Sequence, residues 1–576
     1  MTYKNNLLSA RLMLILLFFM TGYTSKAQQI FSNYPKYELR AVWLTTLSGL
    51  DWPRRPTHLN TTAINRQKEE LISILDKLKA ANINTVLIQT RIRATVIYPS
   101  AIEPWDECFS GTYGRSPGYD PLAFAIDECH KRGMEIHAWV VVIPVGKWNS
   151  YGCKALRRKI PKLIIKKGDQ GYMDPANPHT ASYMASLCKE ITTNYDIDGI
   201  HLDYIRYPEA YRYSAHRYNE HITAIVSAVR RSILTVKPWV KLSCAAIGKY
   251  SDLPRRTSNG WSALGTGRQD AQGWLRNGLI DQLYPMIYFR NSDFVPFALD
   301  WAENTYGGHL AGGLAAYMLS NKEGGWQLSE IERQMNLLRA TKSGFAFFRN
   351  KFLTDNIKGL YSYVKQTFCP YPAIVPPMKR SDGKEIQKPS GLKVIHTDKY
   401  LCLTWDVPAS QPEGGIKFNV YASQETNVDI NNPKNLLATN LKDNYISIET
   451  KRNLNFAVTS IDRYGNESAP ITFNEIKDKN IDAKAHMLDN DGGKILIPNK
   501  LRNATTGYVA FKSIAGNIVA TSKYNTDGIV EIDKLKPGCY SIYSISKNGT
   551  AHRLGFTIIK PRKRLIKNSR TLIGED

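Results

Sequence analysis

Asp196-Ile-Asp-Gly-Ile-His-Leu-Asp-Tyr-Ile-Arg-Tyr-Pro208 compresses a short apolar strand, an acidic strand end and a loop into thirteen residues. Gly199-Ile-His-Leu202 alternates its side chains about a strand, and Asp203 stands where that strand runs out. An ionised carboxylate is almost never left inside an apolar core without a partner. On a parallel-barrel strand Asp203 lies on the C-terminal face, where such barrels keep their chemistry. The sharp expectation is a catalytic carboxylate. The plain one is an acidic residue that bonds a neighbouring loop.

Outward from this stretch, residues 38 to about 349 alternate β-rich apolar runs with helical patterns. The spacing predicts eight strands, at 39–44, 85–89, 135–141, 199–202, 241–245, 282–288, 310–316 and 344–348. Helices are predicted between them at 66–81, 121–132, 179–194, 215–236 and 329–341. Eight strand–helix alternations specify an α/β fold of the (β/α)8 TIM-barrel type. An open doubly wound sheet is disfavoured, because no Gly-x-Gly-x-x-Gly turn follows the first strand.

The ends carry other signals. Lys4 and Arg11 flank the apolar run 12–20, and Ser25-Lys-Ala27 makes a small-x-small cleavage site, so residues 1–27 read as an export signal. The mature chain is then expected in the periplasm or outside the cell, with no transmembrane segment. Residues 28–370 form the barrel domain, and the proline-rich, polar stretch 371–388 reads as a linker. Short alternating strands over 389–474 and again over 481–563 predict two all-β sandwich domains. The first of them, with Trp405, Phe418/Val420 and Tyr464-Gly-Asn-Glu-Ser468, resembles a fibronectin type III domain.

A net charge of +25 favours anionic surroundings such as envelope polymers, but the lysines and arginines run along the whole chain, which reads as a generally solvated basic surface. No nucleic-acid-binding motif is present, and nucleic acid is not expected as a partner. Eight scattered cysteines without a CxxC pair make neither a disulfide framework nor a zinc site. No His-Glu-x-x-His motif exists, so no metal and no cofactor is expected; His137 and His201, on neighbouring strands, are the one pair able to share an ion.

The predicted strand ends supply a short inventory: Arg40 and Trp43 on the first; Gln89, Arg91, Glu103 and Trp105 on and after the second; His137 and Trp139 on the third; His201, Asp203 and Arg206 on the fourth. Asp270 follows the fifth, Tyr288 and Asp293 the sixth, and Tyr317, Glu323 and Trp326 the seventh. Aromatic faces suit sugar rings, and Arg, Gln and His suit hydroxyls and anionic groups, so this mixture fits a carbohydrate. Glycosidic cleavage needs two carboxylates. Asp203 is expected as nucleophile or base, with Glu103, then Asp270, then Asp293 as the acid. The expected substrate-binding set is Arg40, Trp43, Gln89, Arg91, Trp105, His137, Trp139, His201, Arg206 and Tyr288.

Several of these pieces occur together in one family. Glu38-Leu-Arg-Ala-Val-Trp43, Gln89-x-Arg91-x-Arg93, Tyr98-Pro-Ser100, Glu103-Pro-Trp105, His137-Ala-Trp139, Asp198-Gly-Ile-His-Leu-Asp203 and Tyr284-Pro-Met-Ile-Tyr288 resemble, in order, the glycosyl-hydrolase-like 10 domains of bacterial envelope proteins. The resemblance implies a TIM barrel that hydrolyses a polysaccharide, for some members the glycan strands of peptidoglycan. More distantly, Asp198-Gly-x-x-Leu-Asp203 looks like the fourth-strand segment of the α-amylase superfamily, whose second Asp is the nucleophile. That superfamily has a Glu acid after the fifth strand, and 241–250 contains none. The alternative is a non-catalytic glycan-binding or scaffolding envelope protein, and oligomeric state is not legible in the chain.

Overall fold

The computed structural model describes residues 34–576 except 209–217, 259, 382–384, 397–399, 450–453, 474–487, 489, 492, 498–507, 514–517, 534, 536–537, 546–550 and 560–576. The export signal, the start of the helix expected at 215–236 and the basic tail after 560 lie outside the described residues.

Eight parallel strands close into a barrel: β1 Arg40–Leu44, β2 Thr85–Ile92, β3 Glu135–Val141, β4 Gly199–Asp203, β5 Lys241–Ile247, β6 Gln282–Met286, β7 His309–Leu314 and β8 Gly344–Phe347. Each pairs with its sequence neighbour, and β8 returns to β1, with Arg40 opposite Phe345. The (β/α)8 expectation is therefore met. Around the barrel run α1 Thr61–Ala80, α2 Pro121–Lys131, α3 Tyr151–Lys159, α4 Pro178–Asn194, α5 Tyr218–Leu234, α6 Ala271–Arg276, α7 Phe294–Glu303 and α8 Leu328–Ala340. Asn60, Asp120 and Asn177 start α1, α2 and α4 by accepting a backbone N–H from the first turn.

The period-two rule explains β4. Ile200 and Leu202 join the apolar layer between barrel and helices, while His201 and Asp203 face inward. The sequence pattern passes over one element: between β3 and α4 the chain makes an excursion over residues 144–173, in which strands Pro144–Lys147, Ile164–Lys167 and Gln170–Met173 form an antiparallel sheet beside α3. Its short strands alternate too weakly to stand out beside a barrel strand.

After the barrel, β9 Ser390–His396, β10 Tyr400–Asp406 and β13 Tyr445–Glu449 form one antiparallel sheet. A second contains β12 Leu436–Leu441, β11 Ile416–Ser423, β14 Asn455–Asp462 and β15 Ile471–Phe473 in that order. Leu403, Trp405, Phe418, Val420, Phe456 and Val458 pack between them. Two further antiparallel sheets, of three and four strands, enclose Ile495, Val509, Phe511, Val530 and Ile542.

The first of these β units docks on the barrel through its N-terminal end. Lys417 and Arg463 both reach the Asp198 carboxylate at 3.4 Å, His130 Nε2 lies 2.7 Å from it, and Arg463 and Lys442 hold Asp196 at 2.6 and 2.8 Å. The stretch read as a linker is part of this interface: Ala373, Ile374 and Val375 are buried, and Arg380 pairs with Asp281 at 2.7 Å. Burial by itself would raise the Asp198 carboxyl, but Lys417, His130 and Arg463 overcome it and hold it well below the usual range. Burial likewise raises Asp196 and is outweighed by Arg463 and Lys442, which lower it to about 2. A lowered folded-state pKa gives stability that is present above the unfolded value and lost as pH falls through the folded one. The urea midpoint is therefore expected to hold down to about pH 4 and to fall between there and about pH 2. Replacing Asp198 with Asn should flatten that dependence.

Candidate active site

The C-terminal end of the barrel opens into a cavity of about 720 Å³. Asp203 sits in its wall, only 5% exposed. Trp139 donates its indole N–H to Asp203 Oδ2 at 3.0 Å, and the Tyr204 backbone N–H donates to Oδ1 at 2.7 Å. Burial raises this carboxyl above its ordinary range, against the opposing pull of Arg206 and of these two donors. Tyr204 itself takes a left-handed backbone with φ of 49°, a conformation rare for a residue with a bulky side chain, and Arg206 stacks 4.2 Å from its ring centroid.

Aromatic rings build the opposite wall. Phe348, just beyond β8, lies 6.0 Å from both Tyr288 and Tyr317 and 6.5 Å from Trp139, centroid to centroid. The Tyr288 hydroxyl is buried in the cavity wall without a hydrogen-bond partner among the described residues. Burial, with Tyr317 and Asp203 adding to it, keeps that phenol protonated far above neutrality. It is thus a donor available to a ligand. Gln89 also borders the cavity, but its Oε1 accepts from Thr45 Oγ1, Thr46 N and Leu47 N at 2.7 to 3.1 Å and so shapes the loop after β1.

Of the expected site residues, Asp203, Gln89, Trp139, Arg206 and Tyr288 border this cavity. The others do not, and each has a physical reason. Arg40, at the opposite end of β1, bonds Glu38 at 2.6 Å and the Tyr371 carbonyl at 2.7 Å. Arg91 and Glu103 satisfy one another: Arg91 Nη2 and Nε approach the Glu103 oxygens at 2.6 and 2.8 Å, and Tyr183 adds a third bond at 2.9 Å. Trp105 is half-buried on the loop that holds Glu103. Trp43 and His201 fill the barrel interior below the cavity, where Trp43 Nε1–H donates to His201 Nε2 at 3.1 Å. An indole only donates, so His201 carries its proton on Nδ1, 3.0 Å from Ser243 Oγ. Burial lowers His201 well below the usual imidazole range, which keeps it neutral. His137 lies deeper, 3.4 Å from Glu135. With both His201 nitrogens engaged, the His137/His201 pair offers no metal site, and no cluster of three His, Cys, Asp or Glu side chains suited to an ion exists among the described residues.

None of the three carboxylates expected as the acid borders the cavity. Glu103 is locked to Arg91, Asp270 caps α6 by accepting from Gly273 N while taking a 2.6 Å bond from Tyr250, and Asp293 pairs with Arg256 at the surface. Among the described residues that border the cavity, the carboxylates are Asp203 and Glu323. Glu323 sits in Ser320-Asn-Lys-Glu-Gly-Gly325, after β7, and is exposed at the rim. Its position after the seventh barrel strand is the signal the sequence contains.

Fold and cavity define a TIM-barrel protein with a buried acidic group in an aromatic cleft at the strand C-termini. Residues 38–309 match the family model described as Glycosyl hydrolase-like 10. The chain is similar to "Glycosyl hydrolase YngK" of Bacillus subtilis (strain 168), 28% identical over 481 residues, covering 75% of this chain and 92% of that protein. It is similar also to "Glycosyl hydrolase DigH" of Escherichia coli (strain K12), 28% identical over 366 residues, covering 55% and 83%. Among solved structures, the PgaB (BpsB) glycoside hydrolase domain from Bordetella bronchiseptica aligns with a TM-score of 0.40 at 13% identity, over 57% of this chain and 98% of that one.

Proposed function

We propose that this chain is an exported glycoside hydrolase of the glycosyl-hydrolase-like 10 family, acting on a polysaccharide of the bacterial envelope such as peptide-free peptidoglycan strands. The single observation that carries the reading is the cavity's pairing of a buried carboxyl, Asp203, with a solvent-side carboxylate, Glu323, among aromatic rings. The family match over residues 38–309 and the two relatives named as glycosyl hydrolases support it. The three-plus-four sheet arrangement of β9 to β15 supports the fibronectin type III-like reading of the domain that follows.

We assign the roles from burial. A carboxyl kept protonated by its surroundings is the proton donor to the leaving oxygen, and the carboxylate in water is the base or nucleophile. Asp203 thereby changes from the expected nucleophile to the acid. Its protonated form must persist for activity, so rates fall as pH rises through its pKa. Glu323→Gln is expected to lower kcat by about 10²- to 10⁴-fold while leaving the protein folded. A Glu323→Gln enzyme with full activity would remove this residue from the mechanism.

A further inference from the structure

The excursion 144–173 holds eight of the chain's lysines and arginines against a single acidic residue, Asp169. The even spread of charge expected from the sequence is therefore interrupted by one dense patch. Lys147, Lys154, Arg158, Lys159, Lys162 and Lys166 are exposed, and none pairs with a carboxylate among the described residues. This excursion is also a wall of the cleft, since Pro144, Gly146, Gln170 and Tyr172 border the cavity that holds Asp203.

Arg93 stands at the junction. It borders both the main cavity and an adjoining one of about 260 Å³ that runs over the loop after β1. Its backbone is left-handed, with φ of 55°, and its side chain is exposed with no carboxylate partner among the described residues. Gly146, itself at φ of +87°, makes room for it: a Cβ there would stand 3.2 Å from Arg93 Cβ and Cγ. The cleft is thus bordered by the excursion that carries these cations and continues past the Arg93 guanidinium into a second depression. Unpaired cations beside a substrate groove concentrate anions and raise association rates in a salt-dependent way.

We infer that the excursion and Arg93 form a track for an anionic glycan, selecting polymer strands that carry sugar carboxylates over their neutral counterparts. The inference rests on the proposed function and narrows its substrate class. Glycan is favoured over other polyanions because the cations adjoin a cleft walled by tyrosine, tryptophan and phenylalanine rings around Asp203.

The test uses the full chain with Asp203→Asn, so that binding is read without turnover. The probes are peptide-free glycan strands with their carboxylates, the same strands after carboxyl reduction, single-stranded DNA, and anionic phospholipid vesicles. The carboxylated strand is expected to bind about ten-fold or more tighter than the reduced one, with affinity falling steeply as salt rises. Combining Lys154→Gln, Lys162→Gln and Lys166→Gln, or making Arg93→Gln alone, should erase most of that difference and flatten the salt dependence. In active enzyme the same changes should raise KM for the carboxylated strand about ten-fold while kcat holds. Equal affinity for the two glycans, or tighter binding to DNA or vesicles than to glycan, overturns the inference. A protein that cuts both strands equally loses this selectivity and keeps the hydrolase reading; one that binds the carboxylated strand selectively and cuts neither does the reverse.

Discussion

Asp203→Asn is expected to reduce kcat on a glycan substrate by about 10²- to 10⁴-fold, the usual contribution of a positioned proton donor, while leaving the protein folded. The amide keeps the volume of the carboxyl and its carbonyl oxygen still accepts from Trp139 or Tyr204, but it has no acidic proton to give. Stability should move in the opposite direction to activity. A carboxyl whose folded-state pKa is raised by burial destabilises the fold once pH rises above its unfolded value, since the folded form then binds a proton the unfolded form has lost. The Asn variant escapes that cost, so its thermal midpoint at neutral pH is expected to equal or exceed the wild type's, as measured by scanning calorimetry. Such a trade of stability against activity is characteristic of groups held in unfavourable surroundings for function. A purely structural aspartate would show the reverse: a lowered midpoint and little change in kcat per folded molecule.

Glu103→Ala is expected to destabilise the protein by about 3 to 5 kcal/mol, the range for breaking one partner out of a buried ion pair. Arg91 is fully buried, and two of its three nitrogens are neutralised by Glu103 at 2.6 to 3.1 Å. Removing the carboxylate leaves that guanidinium with the Val141 and Val142 carbonyls and the weakly accepting Met173 sulfur, and it strands the Tyr183 hydroxyl as well. Denaturant unfolding should register the loss, and kcat per folded molecule should change far less than for Asp203→Asn. Glu103→Ala thus separates the structural role found for this residue from the acid role its loop suggested.

The barrel was legible because its signals are local and repeated. Strands such as 135–141 and helices such as 121–132 show their period within one segment, and the return of the eighth strand to the first follows from their number. Asp203 was legible for the same reason, as a charge at a strand end. Its partner was not. Glu103 stands beside Pro104 and Trp105 in a stretch that looks designed to dry a carboxyl, and the cause of that dryness is Arg91, twelve residues earlier on β2. Only the closed barrel reveals that the two face each other and not the cavity. Arg40, Trp43, His137 and His201 failed as ligand contacts for a related reason: depth along a barrel strand decides whether an inward side chain meets the cleft or the packed interior, and one-dimensional pattern carries the face but not the depth. The cationic excursion was hidden in the same way, since its lysines are ordinary in composition until the sheet that carries them becomes a wall of the cavity.

The claim on which the account depends is that this cleft cuts glycosidic bonds with Asp203. The most direct measurement is to incubate wild-type and Asp203→Asn proteins with peptide-free glycan strands in heavy-oxygen water and weigh the products by mass spectrometry. Shorter oligosaccharides are expected from the wild type, with one heavy oxygen taken up per bond cut, at the new reducing end, and intact strands from the variant. Equal cleavage by both proteins contradicts the role of Asp203, and strands that the wild type binds but leaves uncut would make the chain a glycan-binding protein instead of a hydrolase.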